Sequence, residues 1–135
     1  MSDWTGNATG VWETEGASNH AAGERERDDY YATEPSAVDK LLSAEQPHPL
    51  IWECAAGGGH LARRLTERGF EVYASDICDR GYPLDVRLDF LTANWFDIPR
   101  GGSALFDILT NPPYKYAKEF VLQALGLLPA GGRCY

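Results

Sequence analysis

An α/β fold with a mainly parallel sheet and helices on both faces is the class this sequence predicts, and three observations carry it. Short apolar runs (Leu50–Cys54, Phe70–Asp76, Phe106–Thr110) alternate with stretches of helical period, the order expected of repeated strand–helix units. The first run passes straight into Ala55-Ala56-Gly57-Gly58-Gly59-His60 and then a helical pattern. Strand, glycine loop, helix is how a doubly wound sheet opens, with its ligand over the carboxyl ends of the strands. The second run ends in Asp76, nineteen positions after Gly57, where such folds hold ribose hydroxyls on a carboxylate.

Composition bounds the rest. At 135 residues and 44% hydrophobic content the chain can bury one core and is at most one small domain. No stretch nears the roughly 18 consecutive apolar residues of a membrane span, and the N-terminus lacks the apolar centre of a signal peptide. Cys54, Cys78 and Cys134 are odd in number and widely spaced. They suit reduced thiols in a cytoplasmic protein better than a disulfide frame or a metal site, so no metal ligands are expected. The formal net charge is −8; residues 1–34 hold eight acidic and two basic residues, residues 35–135 twelve and ten. The acidity is therefore concentrated in the leader. No basic stripe of the kind that neutralises phosphates is present, which argues against strong DNA binding by this chain alone.

Taken in order, residues 1–28 are rich in Gly, Ser, Thr, Asn, Ala and acid without sustained periodicity, so a disordered acidic leader is expected. Trp4 and Trp12 could dock on the domain, taken as residues 29–135, or on a partner. The Tyr30-Tyr31-Ala32-Thr33-Glu34-Pro35 segment leads into a helix with Val38, Leu41 and Leu42 on one face and Ser36 at its capped start. Leu50–Cys54 is the first strand, and the following helix, with Leu61 and Leu65 inward, stops at Gly69. Phe70–Asp76 is the second strand, and residues 77–86 form a loop of turn formers. Leu88-Asp89-Phe90-Leu91 reads as a short third strand, with Asp89 either a cap or a ligand group. Trp95 and Phe96 read as packed core rather than a stacking site. Phe106–Thr110 is the fourth strand. Ala117, Phe120, Val121, Ala124, Leu125 and Leu128 make one apolar stripe of a final helix. Arg133-Cys134-Tyr135 begins a fifth strand.

The fourth strand delivers Thr110-Asn111-Pro112-Pro113-Tyr114. Two prolines remove two backbone donors, so the loop's carbonyls and the Asn111 side chain are left as acceptors, and Tyr114 offers a flat ring. This suits a planar substrate bearing an NH₂ group, such as an exocyclic base amine or a carboxamide. Ahead of the glycine loop, Glu53 ends the first strand. A carboxylate there repels a pyrophosphate but accepts an ammonium group; the alternative is a charged residue that merely ends a strand.

Asn111-Pro112-Pro113-Tyr114 resembles the catalytic loop of class I S-adenosyl-L-methionine (AdoMet) dependent amino-methyltransferases, a Rossmann-like family. The further match of Glu53-x-x-x-Gly57-x-Gly59, Asp76 and the upstream Tyr31-x-Thr33-x-Pro35 in the same order is similar to phage-type or restriction-associated N6-adenine DNA methyltransferases. The resemblance covers residues from about 29 to 135. It implies an AdoMet cofactor held by Tyr31, Thr33, Glu53, Ala55, Gly57, Gly59, Asp76, Ile77, Asp89, Phe90 and Asn111. Asp89 would hydrogen-bond the adenine amine, and Phe90 would present its amide or pack on the ring. It also implies methyl transfer to N6 of adenine in DNA, with Asn111 and the Pro112 carbonyl on the amine and Tyr114 stacked on a flipped base.

The same loop serves N-methylation of protein glutamine and of guanine in ribosomal RNA, so those acceptors stay open, and a nicotinamide-binding half-domain stays open as well. The family has a seven-stranded sheet. This sequence accounts for four strands and the start of a fifth, without a target-recognition region. The expectation is thus a C-terminally truncated domain whose fourth-strand edge is open, which pairs with itself or a complementing chain, or which survives as a non-catalytic remnant.

Overall fold

The computed structural model describes residues 33–135, all of them within the unit Tyr31–Tyr135. The expectations for a disordered leader, for Trp4 and Trp12 and for Tyr31 lie outside the described residues. Four strands, β1 (Leu50–Glu53), β2 (Glu71–Asp76), β3 (Val86–Arg87) and β4 (Asp107–Ile108), form a sheet of order β3-β2-β1-β4, parallel throughout. β1 lies in the middle because all four of its residues are buried, as a strand covered on both faces requires. Its register sets Leu50 against Glu71 and Glu53 against Ala74 on one side, and Ile51 against Asp107 on the other. The chain moves outward from β1 through β2 to β3, then returns to β1's opposite side as β4. The winding thus reverses at β1, the switch point beside which sheets of this kind form their ligand crevice.

Alternation along the strands sends side chains to two separate cores. On one face Ile51 and Leu109 pack with Val38, Leu61 and Leu65, supplied by α1 (Pro35–Ala44) and α2 (His60–Glu67). These helices are tied by Asp39, which accepts from Arg64 at 3.0 and 2.9 Å and from Arg68 at 2.8 Å. On the other face Trp52, Phe106 and Ile108 pack with Phe90, Phe120, Ala124 and Leu127, the last three from α3 (Ala117–Leu127). Trp52 meets Phe90 edge-on at 5.1 Å, and Phe90 stacks on Phe120 at 5.2 Å. The Trp52 indole N–H, which burial would otherwise strand, donates to Ser75 Oγ at 2.9 Å.

The sheet and its two helical covers match the expected class, and five local readings are corrected. Ser36 does not cap α1: Pro35 occupies the first helical turn and Glu34 the cap position, without a side-chain bond, because proline's fixed φ suits that first turn. The third strand is Val86–Arg87, while Phe90–Thr92 is a 3-10 turn. Asp89 Oδ1 accepts from the Leu91 N–H at 3.1 Å, and this local bond competes with strand pairing. Trp95 and Phe96 are 59% and 95% exposed. Asn94 and Asp97 close the turn between them on their own side chains, and Ile98 and Pro99 take the buried places instead. The α3 stripe is rotated: Phe120, Ala124 and Leu127 are buried, whereas Val121, Leu122 and Leu125 face outward. The Phe90–Phe120 stack fixes which face turns inward. Finally, β4's outer edge is paired. The Ile108 N–H donates to the Arg133 carbonyl at 2.9 Å, and the Tyr135 N–H donates to the Ile108 carbonyl at 2.8 Å. The segment begun at Arg133 thus lies parallel to β4 as a fifth rung and becomes the outer edge itself.

Candidate functional site

The crevice is built from the ends of β1, β2 and β4. At the end of β1, Glu53 is buried. Its Oε1 accepts from Thr110 Oγ1 at 2.5 Å and from the Ala55 N–H at 3.0 Å. Burial pushes the Glu53 carboxyl up to about 7, with a smaller push from the Asp76 charge, against the opposing pull of those two donors. The acid that the sequence placed at a strand tip is therefore a buried group close to half-protonated near neutral pH. It also latches the β4 end to the β1 end through Thr110, a residue sequence reasoning gave no role.

The glycine loop follows. The Gly57 N–H donates to Asp76 Oδ2 at 2.7 Å, and the Cys78 N–H to Asp76 Oδ1 at 3.1 Å. Asp76 thus braces the glycine loop against the loop after β2. Gly57 and Gly59 adopt φ of 56° and 88°, values that admit glycine at little cost. A Cβ on Gly59 would overlap the Tyr82 ring, so Tyr82 lies directly against the loop. Arg63 reaches back over the same ring, its guanidinium 5.0 Å from the centroid. Its Nη1 donates to the Gly58 carbonyl at 2.9 Å. Neither Tyr82 nor Arg63 was singled out from sequence. The available signal was Arg63's place four residues after Gly59, on the first turn of α2, where a side chain leans back toward the helix start. Ala55 and Ile77 sit half-buried beside these groups, and the Ile77 carbonyl accepts from Arg87 Nε at 3.0 Å.

The loop after β4 meets the segment before α1. Asn111 Nδ2 donates to Thr33 Oγ1 at 3.1 Å, joining two sequence motifs separated by 78 positions. With its nitrogen so engaged, the Asn111 amide presents Oδ1 as an acceptor. Among the described residues neither this oxygen nor the Pro112 carbonyl receives a donor. The Pro113 carbonyl does: it accepts from the Tyr116 N–H at 3.0 Å and closes the 3-10 turn Tyr114–Tyr116. Pro113 therefore shapes the loop and is not one of its open acceptors. Tyr114, two residues after Pro112, is 84% exposed.

Asp89 caps the 3-10 turn Phe90–Thr92, and Phe90 lies in the core with its carbonyl accepting from Gln123 Nε2 at 3.0 Å. Among the described residues no three His, Cys, Asp or Glu side chains are grouped so as to hold a metal ion. The three cysteines are free thiols, and burial raises Cys54 well above the usual thiol range. Among the described residues no helix is long and apolar enough to cross a membrane.

Fold and site together define a Rossmann-like α/β domain, a parallel sheet with a glycine loop at its switch point. No protein-family model matches the chain, and no curated protein matches it significantly.

Proposed function

We propose that this domain binds AdoMet across the ends of β1 and β2 and serves transfer of its methyl group to a planar NH₂ nitrogen held at Asn111. N6 of adenine in DNA is the proposed acceptor. The observation that carries the reading is the Thr33–Asn111 hydrogen bond, because it engages the Asn111 nitrogen and leaves Oδ1 as an acceptor one residue before the Pro112 carbonyl. Two acceptors on consecutive residues fit the two hydrogens of one amine. The donor set also fits the cofactor: a buried carboxylate, Glu53, for an ammonium, bare backbone at Gly57 and Gly59, and Asp76 for a ribose.

The bound cofactor supplies a methyl already activated by a sulfonium, so the chain's task is positioning. An exocyclic amine is a weak nucleophile because its lone pair is delocalised into the ring. Asn111 Oδ1 and the Pro112 carbonyl, each accepting one N–H, localise that lone pair and stabilise positive charge as it develops on nitrogen. With AdoMet held by Glu53, the glycine loop and Asp76, the cofactor would supply the methyl to the amine nitrogen and keep the carbon–sulfur bonding pair as the neutral thioether, and the amine would give up its proton to solvent. Tyr114 stacks on the base plane. Lys115 and Lys118, exposed beside it, have no ion-pair partner among the described residues, which favours a polyanionic acceptor over a protein glutamine.

The outward row Val121, Leu122 and Leu125 favours a second component of the proposal: the domain associates with itself, and in the limit acts only as an AdoMet-binding module.

The test is calorimetric titration with AdoMet and with NAD on the wild type and Asp76→Ala, followed by methyl transfer to adenine-containing DNA. Saturable AdoMet binding weakened in Asp76→Ala, and an Asn111→Ala variant that loses far more transfer than AdoMet affinity, are the expected results. Binding of NAD in place of AdoMet would sink the reading. Binding without transfer would leave the module.

A further inference from the structure

The arginines around α2 divide into two sets. Arg64 and Arg68 turn to Asp39 on α1 and hold the two helices together. Arg63 turns the other way, over the glycine loop. Its guanidinium is fixed by the Gly58 carbonyl at 2.9 Å and by the face of Tyr82 at 5.0 Å. Among the described residues no carboxylate pairs with it. One of its five N–H donors is bonded, which leaves the rest of the fork available. The contact to Gly58 is solvent-exposed, so it contributes little to stability, yet the side chain is pinned at both its edge and its face.

The loop is therefore bounded by opposite charges. Glu53, bonded to the Ala55 N–H, opens it, and Arg63, bonded to the Gly58 carbonyl, closes it. Such a pair is complementary to an amino-acid head group, ammonium toward Glu53 and carboxylate toward Arg63. We infer that Arg63 is a specificity-determining residue that recognises the α-carboxylate of the ligand's amino-acid portion, with Tyr82 as the wall that holds the guanidinium in place. The inference rests on the AdoMet reading and adds to it the residue that distinguishes a ligand with the carboxylate from one without.

Decarboxylated AdoMet, which keeps the nucleoside, the sulfonium and the ammonium, is the probe. The 135-residue chain and its Arg63→Gln and Tyr82→Leu variants are titrated calorimetrically with AdoMet and with the decarboxylated compound. The wild type is expected to prefer AdoMet by about tenfold, the range of a charge-assisted, partly exposed contact. Arg63→Gln should remove that preference by weakening AdoMet alone, and Tyr82→Leu should reduce it. Undiminished binding of the decarboxylated compound also shows that the variants are folded. Equal weakening of both ligands in Arg63→Gln, or no change in either, overturns the role given to Arg63 while leaving the cofactor reading standing. A wild type that binds neither compound overturns both.

Discussion

Glu53→Gln should abolish a pH dependence of stability that the wild-type chain carries through its buried carboxyl. The folded state keeps the Glu53 proton up to about 7, against an ordinary value of 4.5. Between those limits the unfolded chain has released a proton that the folded chain retains. Stability is therefore fully present below the unfolded value and is lost as pH rises through the folded one. The displacement corresponds to about 3 kcal/mol for this fully buried group. Glutamine keeps Oε1, which takes both the Thr110 and Ala55 donors, so the latch between β1 and β4 survives the substitution. Urea unfolding of both proteins from pH 4.5 to 8 isolates the effect, since every other titrating group is common to the two. Over that range the variant should gain about 3 kcal/mol on the wild type. Two stability curves that stay parallel would refute the assignment of a raised carboxyl to Glu53.

The same proton links to the proposed ligand: an ammonium beside Glu53 favours the ionised form, so AdoMet should bind more tightly as pH rises toward 7 and release a proton. Calorimetry in buffers of different ionisation heat detects that release, and its absence counts against an ammonium at Glu53. Asp107→Ala should lower stability by about 3 kcal/mol or more, since it strands the N–H groups of His48 and Arg133 that Asp107 accepts at 2.7 and 2.8 Å; thermal unfolding reads this directly. Gly59→Ala should cost about 1–2 kcal/mol from the left-handed backbone alone. The overlap with Tyr82 adds to it, and a double-mutant cycle with Tyr82→Ala separates the two parts.

What could be read from the sequence follows how each element is specified. β1, the glycine loop and Gly69 were legible because each is written in a short contiguous stretch: an apolar run, three glycines, a glycine at φ 95° ending α2. The inward face of α3 was not. Apolar residues occupy Phe120–Leu122, Ala124, Leu125, Leu127 and Leu128, which supports two overlapping stripes, and only the Phe90 contact selects between them. Trp95 and Phe96 misled because hydrophobicity suggests burial, whereas their turn is held by Asn94 and Asp97 side chains. In the candidate site, the residue types at Glu53, Asp76 and Asn111 were legible and their partners were not. Thr110, Tyr82 and Arg63 enter through long-range contacts that no local pattern encodes. The Pro113 carbonyl was misjudged for the opposite reason, since a bond three residues away captures it.

The span of the contacts that close the crevice bears on how the domain folds. Gly57 and Asp76 are 19 positions apart, whereas Glu53 meets Thr110 across 57 and Thr33 meets Asn111 across 78. Loop-closure entropy grows with such separations, so β1, α2 and β2 can assemble as a local unit before β4 arrives. Pulse-labelled hydrogen exchange should show the Gly57 amide protected ahead of those of Leu109 and Thr110; simultaneous protection would show that all of the sheet forms in one step. A chain emerging from the ribosome would then possess the Gly57–Asp76 brace while still lacking the Asn111–Thr33 contact. On the proposed function, the nascent domain would hold its half of the cofactor site before it has a place for an acceptor amine.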